Sequence, residues 1–328
     1  MLRQKYLLLA TLLLAALLAG IFWGQVALFP LTADSGRILW DFRLPRVIFA
    51  GMNGAVLALA GVLYQIALRN PLADGFTTGA ASSAALGGCL ALALWGQGAV
   101  VSLCAVICAG LGICVVRRVA GLASRSGDSG FAAGTGGDIT IILAGVALSV
   151  MAGSGISFLK YFFEESMGTM VFWLMGGLGG ATWDKIAVLA AIFVPTLAAL
   201  YLHKDRLALL FLDDRSAVAS GVDVRRMREL LYMLTTVLVA VSVSFCGVIG
   251  FLGLMIPHAV RGLLGHNIAM QLLGSPLLGA AALILFDLAS RTALPHGGEL
   301  PVGIITSLAG GVFFFILIMR RGGALWGK

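Results

Sequence analysis

Charge is what this sequence lacks most: Asp, Glu, Lys and Arg make up 11% of its 328 residues, under half the roughly 25% of a soluble chain. That is too little to cover a water-exposed globule, so the apolar excess must face lipid and an ordinary soluble fold is excluded. No lysine is followed by Ser or Thr, so there is no GxxxxGK[ST] phosphate loop, and the chain does not hold ATP in that way. HExxH and GxSxG are also missing, and His203, His258, His266 and His296 are scattered. Intramembrane hydrolysis is left without a nucleophile or a metal set. Cys89, Cys104, Cys108, Cys114 and Cys246 lie in apolar runs without CxxC spacing, which reads as small packing residues rather than a zinc site or a disulfide framework. Neither cofactor nor metal is expected, and nucleic acid is an unsuitable partner.

What is present is apolar length. Hydrophobic residues reach 60% before the 44 glycines are counted, and a bilayer crossing needs about 20 apolar residues. Ten spans fit: Met1 to Phe29, Leu44–Leu68, Phe76–Trp95, Ala99–Val116, Ile139–Phe163, Lys185–Tyr201, Arg228–Cys246, Val248–Leu264, Ala269–Ser290 and Val302–Met319. The first resembles a secretory signal in having Arg3 and Lys5 before an apolar run, but it is longer than a signal core. The fold class is therefore an all-α integral membrane protein, with residues 1–328 forming one transmembrane domain.

Charge placement gives the direction. With the first span leaving the cytoplasm, 16 of the 22 basic residues fall inside, so the positive-inside rule puts both termini in the cytoplasm. Only Arg37, Arg43, Arg46, Lys160, Lys185 and Arg291 remain outside, beside Trp23, Trp40, Trp95, Trp173 and Trp183 at the outer interface. Glycine pairs such as Gly87-Gly88, Gly176-Gly177 and Gly310-Gly311 suit close helix packing in lipid. Met170–Thr182, broken by four glycines, is too short to span and reads as a partial helix at the outer surface.

Inside the spans, Asp287 is the plain ionisable group. It precedes Arg291 by four residues, the spacing for an ion pair on one helix face. One anchored acid makes a poor relay, which counts against an ion- or proton-coupled secondary transporter, the alternative reading. His203–Glu229 is the longest charged stretch, with six basic and five acidic residues. Leu207–Val218 within it reads as a short amphipathic helix with a polar turn at Asp213-Asp214-Arg215, suited to a cytoplasmic partner.

Arg43-Leu-Pro-Arg46, Leu59-Ala60-Gly61, Gln65 and Arg69-Asn-Pro-Leu-Ala73 together resemble the permease subunits of ABC importers for iron-siderophore, haem and cobalamin. The resemblance runs on through Leu143-Ala-Gly-Val-Ala-Leu148, Trp173-Leu-Met-Gly-Gly177, Gly247–His258, Arg261, Asp287, Arg291 and Glu299-Leu-Pro-Val-Gly303. It implies ten helices in a cobalamin-importer-permease-like bundle and a second permease subunit, as a homodimer. It also implies two cytoplasmic ATPase subunits, a periplasmic or lipid-anchored binding protein and a metal-chelate substrate. The family's LGE…A…LG segment maps onto Leu212, Asp213, Asp214, Ala217, Ser220 and Gly221, with Asp213, Asp214 and Ser220 departing from it. Residues 205–226 would then dock the ATPase, Arg215 included. The resemblance further implies that Arg43, Arg46 and Arg291 meet acidic residues of the binding protein.

Overall fold

The computed structural model describes residues 2–24, 33–125, 136–212, 214–294 and 298–320. Every regular element among them is helical. The first half holds α1 (Leu2–Phe22), α2 (Ala33–Arg37), a π-helical turn (Ile38–Arg43), α3 (Leu44–Ala67), α4 (Ala80–Trp95), α5 (Ala99–Arg125), α6 (Gly136–Phe162) and α7 (Glu164–Leu174). The second holds α8 (Trp183–Leu202), α9 (Lys204–Leu212), α10 (Asp214–Ala219), α11 (Val224–Cys246), α12 (Leu252–Leu264), α13 (Ile268–Thr292) and α14 (Val302–Arg320).

Each of the ten expected spans coincides with a helix, but only eight are at least 18 residues long and apolar enough to cross a membrane. The exceptions are α4 and α12. Sequence reading started them at Phe76 and Val248, whereas the helices begin at Ala80 and Leu252. Local backbone geometry explains the late starts. Gly79 sits at φ 82 before α4, and Gly247 at φ 69 and Phe251 at φ 64 precede α12, left-handed conformations that a right-handed helix cannot absorb. At about 1.5 Å per residue, α4 is roughly 24 Å long and α12 roughly 20 Å, both short of a hydrocarbon core of about 30 Å.

Two other expectations shift. The partial helix expected in Met170–Thr182 is α7, which starts earlier, at Glu164; residues 175–182 are not helical, with Gly176 at φ 73. The single amphipathic helix expected over Leu207–Val218 is two helices, α9 and α10. They part at the polar turn, where Asp213 lies outside the described residues.

Helix α3 is the centre of the bundle. Its most apolar stretch is 89% buried, against 17% for α1 and α6 and 22% for α8 and α14. Apolar side chains alone cannot hold helices together in lipid, so backbones must approach closely. A Cβ on Gly54 would lie 2.2 Å from the Gly279 carbonyl oxygen, and one on Gly61 1.8 Å from that of Gly253. Glycine is therefore required where α3 crosses α13 and α12. Leu143, Val150 and Met151 on α6 and Leu308 and Phe315 on α14 are exposed, apolar surface suited to lipid or to another membrane subunit.

Candidate functional site

Three places in the bundle bring polar groups together, and the first is a charged cluster where α3 begins. Arg46 Nη2 lies 2.9 Å from Asp287 Oδ1, and its Nη1 2.9 Å from Glu299 Oε1. Arg291 Nε is 3.0 Å from Asp287 Oδ2, the i,i+4 pair that the spacing predicts. Asp287 thus carries two guanidinium partners while only 1% exposed. Arg43 donates to the Ile21 carbonyl at 2.8 Å and Arg291 to that of Gly20 at 3.3 Å, tying α1's last turn to the cluster. Arg43 and Arg291 are each 6% exposed. Of the three arginines expected to dock a partner, Arg46 is the one with a more open side chain, and Glu299 is the open acid beside it.

The second place is the α9–α10 segment. Leu207, Leu210 and Ala217 are buried, so the segment is seated on the bundle rather than floating free. Gly221, at φ 77, closes α10: its N–H donates to Val218 O at 2.9 Å and that of Val222 to Ala217 O at 3.0 Å. This is the left-handed C-terminal cap that glycine favours. Asp223 then caps α11 by accepting from the Arg226 N–H at 3.0 Å. The side chains of Leu212, Asp214 and Arg215 lie outside the described residues, as does Asp213 entirely.

The third place was not legible as a site. Residues 68–79, ahead of α4, and residues 247–251, ahead of α12, both enter the bundle as non-helical backbone and border one cavity of about 560 Å³. Asp74, Phe76 and Thr77 come from the first segment; Val248, Gly250 and Phe251 from the second; Gly303, Ile304 and Ser307 from the start of α14. Broken backbone at membrane depth is tolerated where protein or a cavity satisfies it. Here the Asp74 carboxylate accepts N–H bonds from Thr77 at 2.9 Å and Phe76 at 3.1 Å, while Thr78 Oγ1 donates to Asp74 O at 2.8 Å. The second segment is held at both ends: Gly247 N–H donates to Val243 O at 2.8 Å, and Phe251 O accepts from Met255 N–H at 2.8 Å. A Cβ on Gly310 would come within 2.3 Å of Phe251 Cβ, so α14 leaves room for that strained residue.

Helix α11 joins the second and third places. Its first turns carry Glu229, 3.2 Å from Arg117 of α5. Further along, the Tyr232 hydroxyl donates to Thr78 O at 3.4 Å, and Tyr64 meets Thr236 at 3.0 Å. Among the described residues, no group of three or more His, Cys, Asp or Glu is placed to hold a metal ion.

Comparison with known proteins supplies the family. The FecCD transport family matches residues 7–320. This chain belongs to that family. It is 34% identical over 296 residues to the hemin transport system permease protein HmuU of Yersinia pestis, covering 88% of this chain and 86% of that one. It is 32% identical over 318 residues to the vitamin B12 import system permease protein BtuC of Salmonella paratyphi A, covering 95% and 94%. Among solved structures, a metal-chelate type ABC transporter in an inward-facing conformation superposes with a TM-score of 0.83 at 31% identity, over 95% of this chain and 97% of that one. A second, PsaBC from Streptococcus pneumoniae in complex with Fab, gives 0.59 at 18% identity and shares the fold. This FecCD-family chain is a multi-pass membrane protein and a permease subunit of the ABC-importer type.

Proposed function

We propose that this permease forms, as one domain with a second copy of itself, the inner-membrane pathway for a bulky metal chelate. An external binding protein delivers the chelate, and two cytoplasmic ATPase subunits seated on residues 205–226 drive its passage. Both termini face the cytoplasm in this reading. The observation that carries it is the α9–α10 segment: two short helices anchored through Leu207, Leu210 and Ala217 that leave Val218 exposed and continue directly into α11. Its support is that the curated relatives named for hemin and vitamin B12 transport align over most of their own length.

At the far end, the binding protein meets Arg46 first, because Arg43 and Arg291 are buried behind it. Those two hold the cluster's position on α1 and α13. Charge complementarity of this kind contributes more to orientation and on-rate than to affinity. Arg46→Glu should weaken capture of the binding protein in a salt-sensitive way.

The test is uptake into proteoliposomes holding the permease with its cognate ATPase, supplied with binding protein and with hemin, vitamin B12 or a ferric trihydroxamate peptide. ATP-dependent accumulation of one of these is the expected result. Accumulation driven by an ion gradient without ATP would overturn the reading in favour of the secondary transporter.

A further inference from the structure

The cavity between the two broken segments is bordered by a buried acid. Asp74 is 6% exposed, and among the described residues no Lys, Arg or His lies within salt-bridge distance of it. Buried acids are expensive unless paired, and within membrane proteins they mark pathways. Capping explains only part of the residue. The bonds from Phe76 and Thr77 both reach Oδ1, and Asn or Ser supplies such a cap in many turns without a charge. The rest of the lining is mostly apolar, with Leu174, Phe251, Leu254 and Ile304 around it and Ser307 as a further polar group. One wall is also strained: Phe251, a non-glycine residue, is held at φ 64. Strain of this kind persists where function over-determines the backbone.

An apolar recess with one uncompensated carboxylate selects for a ligand edge that is largely apolar and presents a hydrogen-bond donor. It selects against an edge that is itself anionic. We propose that Asp74 and the cavity it borders receive the N–H-bearing edge of the transported chelate, so that the permease itself prefers amide-bearing chelates to carboxylate-edged haem. This rests on the chelate-import reading above. At about 560 Å³, the cavity takes one edge of a bulky chelate, and the remainder lies outside it.

The experiment measures uptake by the permease–ATPase complex in proteoliposomes at substrate concentrations high enough to bypass the binding protein. Vitamin B12 and a ferric trihydroxamate peptide serve as amide-bearing probes, and hemin as the dicarboxylate. Asp74→Asn keeps a carbonyl oxygen for the two caps while replacing the charge with an amide. Losing one charge-assisted bond should lower the ratio of amide-bearing to hemin uptake about tenfold, chiefly through KM. A purely structural role for Asp74 would lower both uptakes together, leave that ratio unmoved and overturn the proposal. Wild-type preference for hemin would also overturn it while leaving the importer reading intact. Failure of an assembled complex to take up any of the three would overturn the chelate reading and the proposal with it. Should Asp74→Asn fail to assemble, Ile304→Cys in a background lacking the native cysteines gives a second readout. Vitamin B12 or the peptide chelate should slow its alkylation and hemin should not; equal protection by all three, or by none, refutes the assignment.

Discussion

Replacing Asp287 by alanine should destabilise the bundle far more than replacing Glu299, although both acids bond the same arginine. At 2.9 Å and an effective dielectric of about 20, the Arg46–Asp287 attraction is about 6 kcal/mol gross. Desolvating each ion offsets several kcal/mol of that, so the intact pair is worth much less than its Coulomb energy. Removing only the acid is a different event. Asp287 is 1% exposed and serves both Arg46 and Arg291, so Asp287→Ala strands two guanidiniums near each other. Breaking a buried pair from one side costs roughly 3–5 kcal/mol. The Glu299 side chain is 45% exposed, and such a pair contributes only about 0–1 kcal/mol. Leaving Arg46 with its buried partner, Glu299→Ala should stay within that range. The assay is reversible unfolding in mixed micelles, following helicity against denaturing detergent for the wild type and both variants. Comparable losses for the two, or an Asp287→Ala loss below about 1 kcal/mol, would refute the division into a buried and an open arm.

Gly61→Leu should prevent native packing of α3 on α12, because even a Cβ would fall 1.8 Å from the Gly253 carbonyl oxygen; the check is loss of the monodisperse folded species on size exclusion in detergent. Tyr232→Phe removes the bond to Thr78 O and should cost about 0.5–1.5 kcal/mol in the same unfolding assay. A larger effect of Tyr232→Phe on ATP-driven uptake than on stability would tie residues 68–79 to the drive. Single cysteines at Ser216 and His296 should label from opposite sides of the membrane, since 16 of 22 basic residues place those two loops on different faces; labelling from one side refutes the ten-span orientation.

Much of the fold was open to reading because lipid imposes one rule on every residue: apolar length must be helical, so each expected span coincides with a helix. The Asp287–Arg291 pair was equally open, since i,i+4 spacing is a local property. Arg46 was not. It lies 241 residues from Asp287 in sequence, and no periodicity reports which helix α13 will meet. The same holds for the glycines, whose number announced close packing but whose pairing, Gly54 with Gly279 and Gly61 with Gly253, depends on the crossing itself. The late starts of α4 and α12 were hidden for a different reason. Val248–Phe251 is as apolar as the helix it precedes and Phe76–Gly79 carries no charge, and hydropathy cannot separate helix from broken backbone that a cavity and its neighbours satisfy.

That blind spot coincides with the two places where non-helical backbone leads into a short helix. A helix that runs the full membrane depth moves as a rod, whereas α4 and α12 are each joined to a preceding helix by a short non-helical segment held by a few hydrogen bonds. Hinges of this sort absorb backbone rotation that a continuous helix would resist. Both segments border the same cavity, and α11 leads from the α9–α10 segment at one end to Tyr232 against Thr78 in the wall of that region. On the proposed reading, a displacement imposed at α10 would reach residues 68–79 through α11 and the Tyr232–Thr78 hydrogen bond. Phe251 lies across the cavity, and among the described residues no side-chain hydrogen bond joins the two segments. A ligand lodged there touches both, so its presence and the position of α11 bias the same pair of hinges. Reciprocity follows from linkage: whatever the driver does to the cavity's affinity, an occupied cavity does to the driver's.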